Sequence, residues 1–232
     1  MKRVMVSGSD GQLVTDIIKI LGKEDSFSVI SYDRKGLDVR NKVILEREFE
    51  RIKPAFFIQG ASYHVVEEIN KNPKEACDVN VVSLHYLTDL CNKYNCTLIN
   101  FSTNYVFSGI KPMNGDWGDW AGSEHYNEND IPHPINLYGI LKYAGEQVIS
   151  SSCEKYYNIR VSGLFGKTGS RAKNGLNFPY IIKNALEESG KVEVVADQIV
   201  NIGYTVDIAK IVVEMMKKNN NYGLYHLVNQ GE

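Results

Sequence analysis

Short apolar runs rich in β-branched and aromatic residues recur at about Arg3 to Ser7, Ser28 to Tyr32, Ala55 to Gln59, Thr97 to Phe101 and Asn158 to Val161. Each reads as a strand. Between them lie the stretches Gln12 to Leu21, Lys42 to Ile52, Pro73 to Tyr94 and Pro134 to Tyr156, apolar along one face and polar along the other, which read as helices. Pro73 suits a helix start, where its missing amide donor costs nothing. Runs such as Phe56-Phe57-Ile58 are continuous rather than alternating, the pattern of a parallel sheet covered on both faces by crossover helices. After about Gly163 the pattern changes to a Gly/Lys-rich loop, a helix (Leu176 to Glu188), a strand (Val192 to Val195), a helix (Thr205 to Met216) and a last strand (Leu224 to Val228). This predicts two units, 1–162 and a smaller 163–232, with some strands and helices of the second returning to the first. A long irregular insert, 108–134, carries Trp117 and Trp120, whose bulk favours packing over disorder.

Composition narrows the function classes. With 232 residues and 43% apolar content, the chain can bury a sizeable core. No apolar run approaches the roughly 18 residues of a membrane span, and the amino terminus enters a strand pattern without a signal-peptide core. The expectation is a cytoplasmic protein with no membrane partner. A formal net charge of -2 and the lack of a Lys/Arg cluster argue against nucleic acid. Four cysteines without C-x-x-C spacing and five scattered histidines give no metal site.

The segment Val4-Met-Val-Ser-Gly8-Ser-Asp10-Gly11-Gln12-Leu13 is a strand, a glycine turn and a helix start. Gly8 permits the tight turn, Gly11 lets backbone amides approach a pyrophosphate, and the helix start supplies partial positive charge. A full dinucleotide fingerprint has a third glycine where this chain has Val14. Asp33 ends the second apolar run, about 20 residues on, where a carboxylate accepts the adenosine ribose hydroxyls. Arg34 and Lys35 follow directly, and a cation attracts the 2'-phosphate that a carboxylate repels, so NADH and NADPH both stay open.

Ser102-Thr103-Asn104-Tyr105 closes one apolar run, and Tyr138-Gly-Ile-Leu-Lys142 opens a helical stretch. Among 14 tyrosines one Y-x-x-x-K is expected by chance, so its position carries the argument. Four residues apart on a helix, Lys142 lies beside the Tyr138 phenol, and an ammonium there lowers the phenol pKa. The chemistry this predicts is hydride transfer to a carbonyl, with Tyr138 as general acid, Thr103 bonded to the oxygen and Lys142 also on the nicotinamide ribose.

With these residues in place the chain resembles the extended short-chain dehydrogenase/reductases, and most closely their dTDP-4-dehydrorhamnose reductase branch. The resemblance runs through Gly8-x-x-Gly11-Gln12-Leu13, Leu37-Asp38-Val39, Ile58-Gln-Gly60-Ala61-Ser62-Tyr63, Asp78-Val-Asn80, Ser102 to Phe107, Asn136-Leu-Tyr138-Gly and Lys142-x-x-Gly145-Glu146. Arg160-Val-Ser, Phe165-Gly166, Asn177-Phe178 and Asp197-Gln198 continue it. It implies a Rossmann-type doubly wound parallel α/β sheet that binds NADPH or NADH, with a small α/β carboxy-terminal domain holding a nucleotide sugar whose 4-keto group is reduced. It also implies that Thr103, Tyr138 and Lys142 are the catalytic residues, that Asp38 and Val39 contact adenine, and that Gly60, Ala61, Ser62 and Tyr63 form the loop over the cofactor. Ser102 and Asp10 fall within matching cofactor segments.

Against that pattern, Val14 replaces the third glycine, Gln59-Gly60 replaces Asn-Ala, and Asn104 replaces the aspartate of Ser-Thr-Asp-Tyr. Asn104-Tyr105 also lacks the acidic pair with which related dehydratases eliminate water. Ile199 to Tyr204 replaces a Gly-Ser/Ala-Pro-Thr turn. Family members continue some tens of residues beyond a segment like Gly223 to Asn229, so the substrate domain is expected to be truncated, with a homodimer partner as one way to complete it. The leading expectation is a reductase of a nucleotide-linked 4-keto sugar. The alternatives are a non-catalytic regulatory or scaffolding subunit on the same fold, and an epimerase.

Overall fold

The computed structural model describes residues 1–109, 125–169, 175–194, 199–218 and 221–231. Six strands, β1 (Lys2–Ser7), β2 (Phe27–Ser31), β3 (Phe56–Gln59), β4 (Thr97–Thr103), β5 (Tyr156–Val161) and β8 (Gly223–His226), form one sheet in the order β2-β1-β3-β4-β5-β8. All five pairings are parallel. From β1 the chain steps outward to β2 and then returns to add β3 on the other side. The order therefore reverses at β1, which makes the carboxyl ends of β1 and β3 a topological switch point.

The period of two explains how continuous apolar strands bury both faces. Val4, Val6, Phe56, Ile58 and Ile99 face a core shared with α1 (Gln12–Leu21) and α8 (Thr205–Lys218). Met5, Phe57 and Leu98 face the opposite core, with α2 (Lys42–Ile52), α5 (Ser83–Lys93) and α6 (Leu137–Ser152). Phe49 of α2 stacks on Phe57 at 5.3 Å. A separate parallel pair, β6 (Leu164–Phe165) with β7 (Gly203–Tyr204), precedes α8, while α7 (Phe178–Ser189) lies between them in sequence and buries none of its residues.

The structure corrects several expectations. The helix expected over 73–94 is broken into α4 (Pro73–Cys77), a wide π turn (Asp78–Val82) and α5, because an extra residue bulges from the ladder and turns Asn80 inward. A short helix, α3 (Val66–Lys71), precedes it. The helix expected to run to Tyr156 stops at Ser152, since Cys153 is extended and Tyr156 already opens β5. Residues 192–194 carry no strand: they lack a sheet partner, and Val194 is largely exposed. Val195, Asp197 and Gln198 lie outside the described residues, as do Trp117 and Trp120.

The last third of the chain does not form a body apart from the sheet. Helix α8 packs along α1, and β8 extends the sheet beyond β5. Asp16 and Thr205, both buried, tie the two helices by a 2.7 Å hydrogen bond. Among the described residues no helix is long and apolar enough to cross a membrane.

Candidate active site

Every site residue expected from the sequence lies in or just after β1, β2, β3 or β4, or on the first turns of α6. At the end of β1, Gly8 adopts φ +62, and a methyl built on it would sit 2.6 Å from the Ala61 amide nitrogen and 2.6 Å from the Gly60 carbonyl carbon. Backbone therefore meets backbone across the switch point, and only glycine fits. Gly11 caps α1 without a side-chain hydrogen bond, which leaves the first amides of α1 directed outward. Gln12 follows with a buried Nε2 that has no partner. Leu13 turns into the core, so only its backbone faces the turn. Asp10 is exposed beside it.

Val14 and Gly60 explain each other. A methyl on Gly60 would lie 2.4 Å from Val14 Cγ2 and 2.5 Å from the Ser7 carbonyl oxygen. The isopropyl group on α1 thus occupies the space that a side chain at position 60 would need. Both departures from the family pattern come from one steric exchange, and the helix still packs close to the strand. Below it, Gln59 is buried, with its Oε1 2.6 Å from Ser7 Oγ while its Nε2 donates to the Ala61 carbonyl.

At the end of β2 the Ser9 amide donates to the Tyr32 carbonyl, which holds Asp33 beside the glycine turn. Asp33 Oδ1 accepts the Gly36 amide at 2.8 Å. Asp38 is chelated by Arg40 through three contacts of 2.5 to 3.1 Å, and this bonding holds its carboxyl below the usual range. Arg34 and Arg40 share Glu75 of α4. Val39 is buried, so its contact outward is through backbone.

Thr103 ends β4, and its Oγ1 accepts the Tyr105 amide, starting the 3-10 turn Asn104–Val106. Ser102 Oγ, next to it, is buried without a partner. Asn136 caps α6, accepting the Gly139 amide at 2.9 Å. A methyl on Gly139 would come within 2.1 Å of the Tyr105 carbonyl oxygen, so the first turn of α6 rests directly on the 3-10 turn. That contact brings the Tyr138 phenol into hydrogen bonds with Thr103 and Ser62, and its ring against Tyr105 at 5.7 Å. Asn80, from the π turn, fixes the Ser62 side: it bonds Ser62 Oγ, the Tyr63 amide and the Tyr63 carbonyl. The sequence reading quoted Asn80 in a motif but gave it no role.

The expected effect of Lys142 on Tyr138 is not what governs the phenol here. Burial comes first and pushes the phenol up to about 12, while the Thr103 and Ser62 hydrogen bonds pull it down and Tyr105 raises it. Burial likewise lowers Lys142, to about 8, and the charge that opposes this is Glu146. Part of the Tyr138 ring surface remains accessible, although its phenol is deep enough for desolvation to dominate.

A cavity of about 480 Å³ opens beside this trio, lined by Asn104, Tyr105, Phe107 and Asn136 at one end and by Arg160, Ser162, Asn201 and His226 at the other. Ser162 Oγ is buried there without a partner. Burial holds His226 below its usual pKa, against the opposing pull of Glu128, so its imidazole is neutral beside the Arg160 guanidinium.

A dinucleotide fits this cradle: the glycine contact excludes side chains, the α1 amides are uncapped, and the Gln12 amide and Ser102 hydroxyl are buried with hydrogen-bonding capacity to spare. Fold and site together define a Rossmann-type α/β protein of the short-chain dehydrogenase/reductase architecture. The chain belongs to the family described as the RmlD substrate binding domain, whose model matches residues 1–232.

It is 29% identical over 235 residues to the dTDP-4-dehydrorhamnose reductase of Aggregatibacter actinomycetemcomitans, covering 99% of this chain and 74% of that protein. It is 26% identical to the dTDP-4-keto-6-deoxy-D-glucose reductase of Streptomyces niveus, covering 99% of this chain and 74% of the relative. Among solved structures it resembles the Bacillus anthracis dTDP-4-dehydrorhamnose reductase in complex with NADP, with 31% identity, a TM-score of 0.87, and coverage of 100% of this chain and 76% of that one.

Proposed function

We propose that this protein reduces the 4-keto group of a dTDP-linked deoxy sugar with NADPH or NADH. The observation that carries this reading is the Tyr138 phenol, hydrogen-bonded to Thr103 and Ser62, between a dinucleotide cradle and a closed-in cavity. The named relatives are reductases of such sugars, and one is solved with NADP, which supports the same assignment.

Bound in the cradle, the reduced nicotinamide supplies the hydride. The Gly8, Gly11 and Gln12 turn holds the pyrophosphate, Asp33 and Arg34 meet the adenosine ribose, and Asp38 and Val39 flank adenine. Gly60 to Tyr63 cover the cofactor, braced by Asn80. Thr103 fixes the substrate carbonyl, and Tyr138 donates the proton to the oxygen as negative charge develops there. A phenol pushed up to about 12 stays protonated at neutral pH, and the alkoxide that forms is a stronger base than phenolate, so the transfer runs toward the sugar. Lys142 stands on the same face of α6 to hold the nicotinamide ribose.

The test is oxidation of NADPH or NADH with dTDP-4-dehydrorhamnose as substrate. Turnover lost by at least about a hundredfold in Tyr138→Phe, with cofactor affinity kept, supports the reading, since general acid catalysis contributes on this order. Cofactor binding without turnover on any dTDP-linked 4-keto sugar overturns it.

A further inference from the structure

Lys142 and Glu146 lie one turn apart on the same face of α6, and both are buried. The carboxylate is not free to move. Its Oε1 accepts Arg160 Nε at 2.9 Å and its Oε2 accepts Arg160 Nη2 at 2.7 Å, a bidentate pair whose side chains are 3% and 4% exposed. Arg160 is in turn fixed by β5, by the face of Phe107 at 5.0 Å and by His226 Nε2, 3.3 Å from its Nη1. The helix is fixed as well: a methyl on Gly145 would lie 2.5 Å from the Asn80 carbonyl oxygen, so α6 sits down on the π turn at the residue before Glu146.

We propose that Glu146, locked by Arg160, is a positioning residue that holds the Lys142 ammonium in place and keeps it charged for the reaction. The inference rests on the reductase reading, because it names what supports one of the three residues that reading uses. A buried ion pair alone is a poor source of stability, since desolvation offsets most of its attraction. Its carboxylate is, however, the charge opposing the desolvation of Lys142. Other titratable and charged groups surround this stretch. Tyr138 precedes it on α6 and Tyr105 packs on that ring, while Tyr63 and Cys77 border the Leu141 side. Arg160 and His226 come from the sheet, and Glu128 accepts the His226 amide. Of these, Glu146 is the one that acts on Lys142, and Arg160 fixes where that charge stands.

The experiment uses the full chain labelled with 13C at the lysine ε carbons, titrated by NMR without cofactor, with the Lys142 signal assigned by Lys142→Met. Glu146→Gln is expected to move the Lys142 midpoint downward by about one pH unit or more, as for removal of a nearby opposite charge. NADPH affinity should then fall about tenfold near pH 8 and change little near pH 6, and Glu146→Asp should recover part of both effects. Glu146→Gln leaves Arg160 buried and unpaired; should it fail to fold, the double variant Glu146→Gln with Arg160→Gln removes both charges and is read in the same way. An unmoved midpoint in whichever variant folds overturns the inference, whether or not the wild type turns over. A moved midpoint in a wild type that reduces no sugar supports the coupling and overturns the reductase reading instead.

Discussion

Two buried side chains one turn apart, Tyr138 and Lys142, set the pH behaviour of the site. Both are shifted by burial so that the neutral form gains, which sends the phenol up to about 12 and the amine down to about 8. Raising the pH therefore discharges Lys142 first, while Tyr138 keeps its proton. The expected profile of kcat/KM, which reports the free enzyme, falls on its alkaline side with a midpoint near 8, lost by Lys142→Met. A profile flat to about pH 10 contradicts it. A second residue-scale prediction concerns the close contact of Val14 and Gly60. Gly60→Ala should lower stability by about 1–3 kcal/mol and weaken NADPH binding, as overpacking does. Adding Val14→Ala should recover part of the loss, the Ser7 carbonyl still being in the way. Urea unfolding and cofactor titration of the four proteins measure the coupling.

At the scale of elements, the start of α6 works as a lever on the 3-10 turn after β4. Gly139→Ala pushes a methyl toward the Tyr105 carbonyl and lifts the first turn of the helix. Turnover should fall by about tenfold or more, with a smaller effect on cofactor affinity, because Tyr138 moves away from Thr103 while the glycine turn of β1 is untouched. Steady-state kinetics beside a cofactor titration separates the two effects. The sequence made most of these elements legible, and for a definite reason: strands such as Phe56 to Gln59, buried on both faces, leave an unbroken apolar run. The π turn left no such mark, since an extra residue in a helix changes the backbone ladder and not the composition. The roles of Asn80, Glu146 and Arg160 were hidden in the same way. All three stood inside quoted motifs, but which of them meet depends on the wide turn and on the register of β5 beside β4. Val192 to Val194 had the composition of a strand and found no neighbouring strand to pair with.

Over the whole molecule, the chain closes on itself. Helix α8 buries Ile208, Ala209, Val212, Val213 and Met216 in the core it shares with α1, and β8 adds the sixth strand. A chain ended after Tyr204 should show no cooperative urea transition, since one face of the sheet loses its second helix. A cooperative transition in that shortened chain would contradict the packing described for α8. The same closure explains why the switch-point cradle and the cavity are held at fixed separation: β4 and β5 form adjacent walls, and the segments after them lead into both. The Val14 and Gly60 exchange carries one more consequence, for descent. A chain with glycine on the helix and alanine in the loop can reach the present arrangement by two single changes, but one intermediate, with both side chains present, overlaps within the cradle. The passable order removes the loop methyl first and adds the isopropyl group afterwards, and the reverse journey must retrace it, so the history of this pair has a direction written into its volume.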